Sequence, residues 1–271
     1  MKYNYSLPRN HGFTLVELSI VLMIIGLLVS GILVGKDMIR AAELRSITSE
    51  KDQIQTAVNL FKNKYLGLPG DLSNATDFWG TMPTGTCSNT AAGASGGTGT
   101  QTCNGDGNGI LHSSQGVAFI VGANYEFILF WQHLSNAGLI QGKYSGVWTA
   151  WGDPEVVYVS KSGNKSWYHP QTISAPISDT DSFEGNYGNV LSYRNHLISV
   201  GATPLTPLEA WNFDKKIDDG KPGIGNVVTL ERNGVNCNNV APSNAVAIAE
   251  AASYNLNYTP TACELEFKNM F

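Results

Sequence analysis

The chain has 271 residues, only 14% of them charged, with a formal net charge of -5. Its first twelve residues contain Lys2 and Arg9 and no acid, so without them the body stands at -7. An acidic body lacks the clustered cations that nucleic-acid binding needs, and none is expected as a partner. The length allows one large domain with a real core.

The first element in chain order is the stretch "HGFTLVELSIVLMIIGLLVSGILVGKD", residues 11 to 37. Phe13 to Val34 is apolar and long enough, at ~1.5 Å per residue, to cross a ~30 Å hydrocarbon layer as a helix. A secretory signal places its small-residue cleavage site after a short apolar run, whereas here the small residue, Gly12, stands before a long one. The simplest reading is a single-pass anchor, with Lys2 and Arg9 holding the N-terminus in the cytoplasm and the body outside. Glu17 does not fit a plain anchor. A carboxylate deep in a span costs roughly 2.5 to 3.5 kcal/mol on insertion scales and calls for a partner.

Gly12 followed by "FTLVELSIVLMIIGLL" resembles the N-terminus of type IV prepilins and of the pseudopilins of type II secretion. The likeness covers about residues 9 to 40. It implies that a prepilin peptidase cuts after Gly12 and methylates the new N-terminus at Phe13. It further implies that Glu17 pairs with the amine of a neighbouring subunit and so sets the stagger in a filament. The desolvation of such a pair makes misregistered neighbours costly. The partners implied are other pilin subunits, the peptidase, and the pilus or secretion assembly machinery of the inner membrane. The location implied is the inner membrane with the head in the periplasm, then an extracellular pilus or a periplasmic pseudopilus.

From Lys36 to Tyr65 the pattern turns amphipathic, with Leu44, Ile47, Ile54, Val58, Phe61 and Tyr65 at steps of 3, 4 and 7, interrupted by Lys51. The spacing predicts one helix from Phe13 to about Tyr65, roughly 80 Å long. Gly26, Gly31 and Gly35 weaken it by ~1 kcal/mol each relative to alanine. They suit either melting on leaving the bilayer, as the resemblance implies, or close helix contact. The expected organisation is a leader (1–12), a membrane or filament-core helix (13–34), an amphipathic extension (35–66) and a globular head (67–271).

In the head, Cys87, Cys103, Cys237 and Cys263 form no CxxC, so disulfides in an oxidising compartment are expected in place of a metal. Loop entropy favours the local pairs Cys87 with Cys103 and Cys237 with Cys263 among three possible connectivities. The low-complexity stretch after Thr81 reads as a stapled surface loop. "NGDGNGILHSSQ" places Asn104, Asp106 and Asn108 at spacing two before Gly109, in partial imitation of a calcium loop. Gln115 stands where the loop's bidentate glutamate belongs, so a glycine-rich turn is the better reading.

Residues 124 to 140 predict a second helix, with Phe127, Phe130, Trp131 and Leu134 inward and His133 as a structural, hydrogen-bonded residue. Strands are predicted at 146–151, 155–161, 165–170, 189–195, 196–201 and 226–231. "TPLEAWNFDKKIDDGKPG" predicts a helix capped by Thr206 and Glu209 and opened by Pro207. Asp214, Asp218 and Asp219 gather near its exit, solvated or paired with Lys215, Lys216 and Lys221. Calcium is the one cofactor these patterns admit, with candidate ligands Asp106, Asn108, Asp218 and Asp219.

The expected fold is therefore α+β, with a long N-terminal helix packed on an antiparallel sheet head with disulfide-stapled loops. The expected function is a pilin-like structural subunit serving adhesion, motility, DNA uptake or secretion. A pseudopilin is the alternative, and a single-pass anchored binding protein or enzyme is the reading from another class. No nucleophile elbow, zinc motif or phosphate loop occurs, and His112, His133, His169 and His196 are scattered. Trp148, Trp151, Trp167 and Tyr168 suit sugar stacking or, more often for strand aromatics, core packing.

Overall fold

The structure is a computed structural model that describes residues 12–82, 87, 99–111, 123–150, 152–162, 166–173, 183, 185–195, 203–230, 236–240 and 246–271. The chain forms two compact units, one up to Glu43 and one from Leu44 to Phe271. Helix α1, Leu15–Tyr65, contributes residues to both.

In the first unit α1 is apolar on every side and buries none of it. Each large apolar side chain from Leu15 to Val34 is at least 49% exposed. A Cβ added at Gly26, Gly31 or Gly35 would meet nothing within 4 Å, so no contact inside the chain explains these glycines.

In the second unit α1 buries one face through Ile47, Ile54, Ala57, Val58 and Phe61. The polar break in this stripe is Glu50, buried, and not the predicted Lys51, which forms an ion pair with Asp52. A short helix α2, Ala75–Trp79, was not legible in the sequence. Helix α3, Glu126–Asn136, is shorter than predicted, because its last turn gives way to Gly138 at positive φ. It is buried from Phe127 to Leu134 on all sides, a central helix and not a one-sided one. Helix α4, Pro207–Ile217, carries the predicted capping box of Thr206 and Glu209.

The sheet is antiparallel, with β1 (Trp167–Ile173), β2 (Gly188–Arg194), β3 (Val227–Leu230) and β4 (Glu264–Phe267) in the order β1-β2-β4-β3. A fifth helix, α5, spans Val246–Ala251. Residues 146–150 and 155–161 form no strand, contrary to expectation, and the latter segment joins β1 at an isolated bridge from Val159 to Trp167. Their apolar side chains are spent on burial, since Val147, Trp148, Val156 and Val157 enter the core while Asp153 accepts the amides of a turn. Trp151 and the predicted strand 196–201 lie outside the described residues.

β1 tolerates Pro170 because it is a terminal strand of the sheet. Its outward amides alternate: Tyr168 N–H donates to Tyr158 O and Thr172 N–H to Leu111 O, with Pro170 between them. Ile47, Val58 and Phe61 share one core with Phe127, Phe130 and Trp131 of α3 and Tyr168, Leu191 and Leu265 of the sheet. Disulfides join Cys87 to Cys103 and Cys237 to Cys263, the two local pairings. The fold is α+β.

Candidate functional site

The helix does not begin at Phe13, as predicted, but at Leu15, with Thr14 before it. Thr14 N–H and Thr14 Oγ1 each donate to Glu17 Oε2 at 2.8 Å, and Glu17 N–H returns a bond to Thr14 Oγ1 at 3.3 Å. This reciprocal arrangement is a capping box, and it places an acid in the first turn, where the helix dipole favours negative charge. Glu17 thus has partners in its own chain, supplied by a T-x-x-E signature that stood unread in the sequence. Phe13, 90% exposed, lies outside the helix and so is not stacked within its first turn beside Glu17.

Two acidic clusters form in the second unit. Asp71, Asp106 and Glu126 present carboxylate oxygens within 4.8 Å of one another, as do Asp214, Asp218 and Asp219. Asp71, which the sequence did not single out, organises the glycine-rich loop. Its Oδ1 accepts from the amides of Gly107 at 2.7 Å and Asn108 at 3.1 Å, and its Oδ2 from Gly109 at 2.8 Å. Burial pushes its pKa up to about 6 despite these donors. Asp106 accepts from Asn108, whose own side chain accepts from Ile110 N–H, so the two predicted ligands act as turn formers. Gln115 lies outside the described residues.

In the other cluster Asp214 accepts from Tyr254 Oη at 2.8 Å and Gly220 N–H at 3.2 Å, and burial pushes it up to about 7. Asp218 takes the amides of Asn226 and Val227, and Asp219 that of Lys221. Backbone amides and the Tyr254 hydroxyl, and not the lysine side chains that the sequence suggested, hold these acids; Lys215 instead lies over the Trp211 ring. Through these bonds both clusters organise the loops around them.

Residues 7–33 match a family model described as the prokaryotic N-terminal methylation motif. The chain carries a prepilin-type signal. That signature points to a type IV pilin-like or pseudopilin subunit, a structural part, and it implies pilin subunits and a prepilin peptidase as partners. Gly12, Phe13 and Glu17 all fall inside the matched residues. No curated protein and no solved structure matches the chain.

The head behind the prepilin-type signal turns its other candidates inward. His133 is fully buried, its Nδ1 accepting from Gly70 N–H at 2.9 Å and its Nε2 facing Cys103 O and Thr102 Oγ1. An accepting Nδ1 assigns the proton to Nε2. Gly70 reaches this position with φ +84°, and an added Cβ would run into Glu126 O, so only glycine fits there. Trp148, Trp167 and Tyr168 are core residues and offer no stacking platform. His169 is buried as well, while His112 and His196 lie outside the described residues.

Proposed function

We propose that the chain is a type IV pilin-like subunit, cut after Gly12 and methylated at Phe13, which assembles through residues 13–34 into a filament. One observation carries this reading: the methylation motif heads a helix that is apolar all round and uncovered by its own chain. Such a surface must be covered by lipid before assembly and by neighbouring helices afterwards. The subunit waits in the inner membrane, N-terminus inward and head in the periplasm. Residues 35–66 extend the helix and 67–271 complete the head. A pseudopilin of a secretion system is the second reading, and the stapled, neutral-polar loop of the head favours a surface pilus over it.

Glu17 acts twice in this proposal. Its side chain caps the helix start in the isolated chain, and its charge pairs with the amine of Phe13 in a neighbour. The two roles separate by mutation. Glu17→Gln keeps a capping box, which accepts glutamine, and removes the charge; Thr14→Ala removes the cap and keeps the charge. Filaments sheared from the native host are quantified by mass spectrometry, which also reads the N-terminal peptide. We expect methylated Phe13 at the start, loss of filament incorporation in Glu17→Gln and retention in Thr14→Ala. An uncut Met1 start, or normal filaments from Glu17→Gln, overturns the processing or the pairing respectively.

A further inference from the structure

A groove of about 900 Å³ lies entirely in the second unit, along α1 from Arg45 to Leu60, a length of ~22 Å at 1.5 Å per residue. Its far side is formed by the turn after α3, by Tyr158 and Lys161, and by Lys216 on α4. Three cations from three separate segments, Arg45, Lys161 and Lys216, line it. Among the described residues none of these three side chains has an ion pair or a hydrogen bond. Among the described lining residues the one carboxylate, Asp52, is held by Lys51 at 2.9 Å. A chain of net charge -5 has thus gathered three uncompensated positive charges at one concavity. Like charges brought together without partners repel, and an anion that binds among them relieves that repulsion.

The remaining lining selects among anions. Thr48, Ser49, Gln53, Gln141 and Tyr158 supply hydroxyl and amide groups that both donate and accept, the pattern that answers sugar hydroxyls. Tyr158 keeps its proton and hence its donor, because burial and the Glu50 carboxylate raise its pKa. A peptide gains affinity by extending a sheet edge, by laying an apolar helix face into an apolar groove, or by offering acidic side chains to an arginine cluster; Ile54, Ala57, Leu60, Leu139 and Ile140 share the lining here with the polar groups, and Arg45 is the single arginine among its three named cations. This groove runs along a helix and offers no strand edge. Single-stranded nucleic acid calls for stacked aromatic platforms, and Tyr158 is the one aromatic ring among the described lining residues.

We propose that this groove binds an acidic saccharide, a linear oligomer whose carboxylates engage Arg45, Lys161 and Lys216. The site uses no residue of the apolar segment 13–34.

The test is calorimetric titration of the full chain in detergent with oligogalacturonate, its methyl ester, a polyglutamate and single-stranded DNA of similar charge. Oligogalacturonate should bind and weaken as salt rises, and the neutral ester should not bind. Arg45→Gln, Lys161→Gln and Lys216→Gln should each weaken binding about threefold to tenfold, since each removes one charged contact. The triple variant should abolish it. The single variants keep the test open should the triple fail to fold, and Lys143→Gln, a lysine outside the groove, should change nothing. Equal binding of acid and ester, unaltered binding in the variants, or no binding at all overturns the proposal. Binding of polyglutamate or DNA as tight as that of the uronate also overturns it, making the groove a general polyanion site. Glu17→Gln should titrate like the parent, so failure of the filament reading and failure of this one are told apart.

Discussion

Helix α1 is one continuous element with two opposite environments. Up to Glu43 its apolar side chains are exposed on every side, whereas from Leu44 on it buries a single stripe into a core and, Glu50 apart, turns its charged residues outward. Backbone hydrogen bonding is the same in both stretches, so helix formation says nothing about destination. The arrangement of apolar side chains around the helix does: an all-round pattern demands a partner outside the chain, and a striped one is satisfied within it. Mutations can therefore be sorted by region, and those in the head should register in the unfolding of the isolated chain while those before Glu43 should not.

The largest effect is expected at Glu266. Its Oε1 accepts from Arg194 at 3.0 Å, Ser192 at 3.0 Å and Gln171 at 3.2 Å, all buried. Glu266→Ala removes the carboxylate that pairs with the buried Arg194 guanidinium and should cost ~3 to 5 kcal/mol. Denaturant unfolding in detergent measures it, and a loss below ~1 kcal/mol would mean that water reaches Arg194.

Next comes Glu50, the polar break in the buried stripe. It receives Ser160 Oγ at 2.6 Å, Lys161 N–H at 2.9 Å and Tyr168 Oη at 3.1 Å. Glu50→Ala strands three donors and should cost ~2 to 4 kcal/mol. Glu43→Ala, seven residues earlier, loses a half-buried pair with Arg40 and should cost less than ~1 kcal/mol.

His133 makes the head sensitive to acid. Burial pushes its pKa down from 6.5 to about 4, so below pH 6.5 the unfolded chain binds a proton that the folded head refuses. Its contribution is complete above pH 6.5 and is lost as pH falls toward 4, on the order of 3 kcal/mol in all. Stability of the parent measured between pH 7 and 4 should fall more steeply than that of His133→Gln; parallel curves would remove His133 as the cause. The raised Asp71 and Asp214 act oppositely, disfavouring the folded state as they ionise between pH 4 and about 6 and 7.

The smallest effect on unfolding is expected at Gly31. Gly31→Ala meets no atom within 4 Å, so head unfolding should not shift, while helix propensity rises by ~1 kcal/mol. Its readout is filament yield, and a changed head midpoint would erase the division between the two regions.

The sequence was most legible where the cause is local. The methylation motif, the capping box of α4 and the short disulfide loops each lie within a few turns of chain. It was least legible where the cause is distant. β4, "ELEF", reads as a poor strand because Glu264 and Glu266 are charged, yet the partners that permit Glu266 to be buried stand 72 to 95 residues away. Asp71 is in the same position, acting on amides 36 to 38 residues later. Residues 155–161 misled for another reason, since branched and aromatic side chains report burial, and burial does not require a ladder. The groove's cations come from segments that no spacing rule connects.

The outward edge of β1 bears on life among copies. At Tyr168 and Thr172 the amides that would recruit a foreign strand are already engaged, and at Pro170 there is none to engage. Polymers of identical subunits hold sheet edges at very high local concentration, the condition under which strands of neighbouring molecules zip together. With its donors spent, this edge offers a neighbouring strand no ladder to extend, so crowding of identical heads brings no sheet-to-sheet growth through β1.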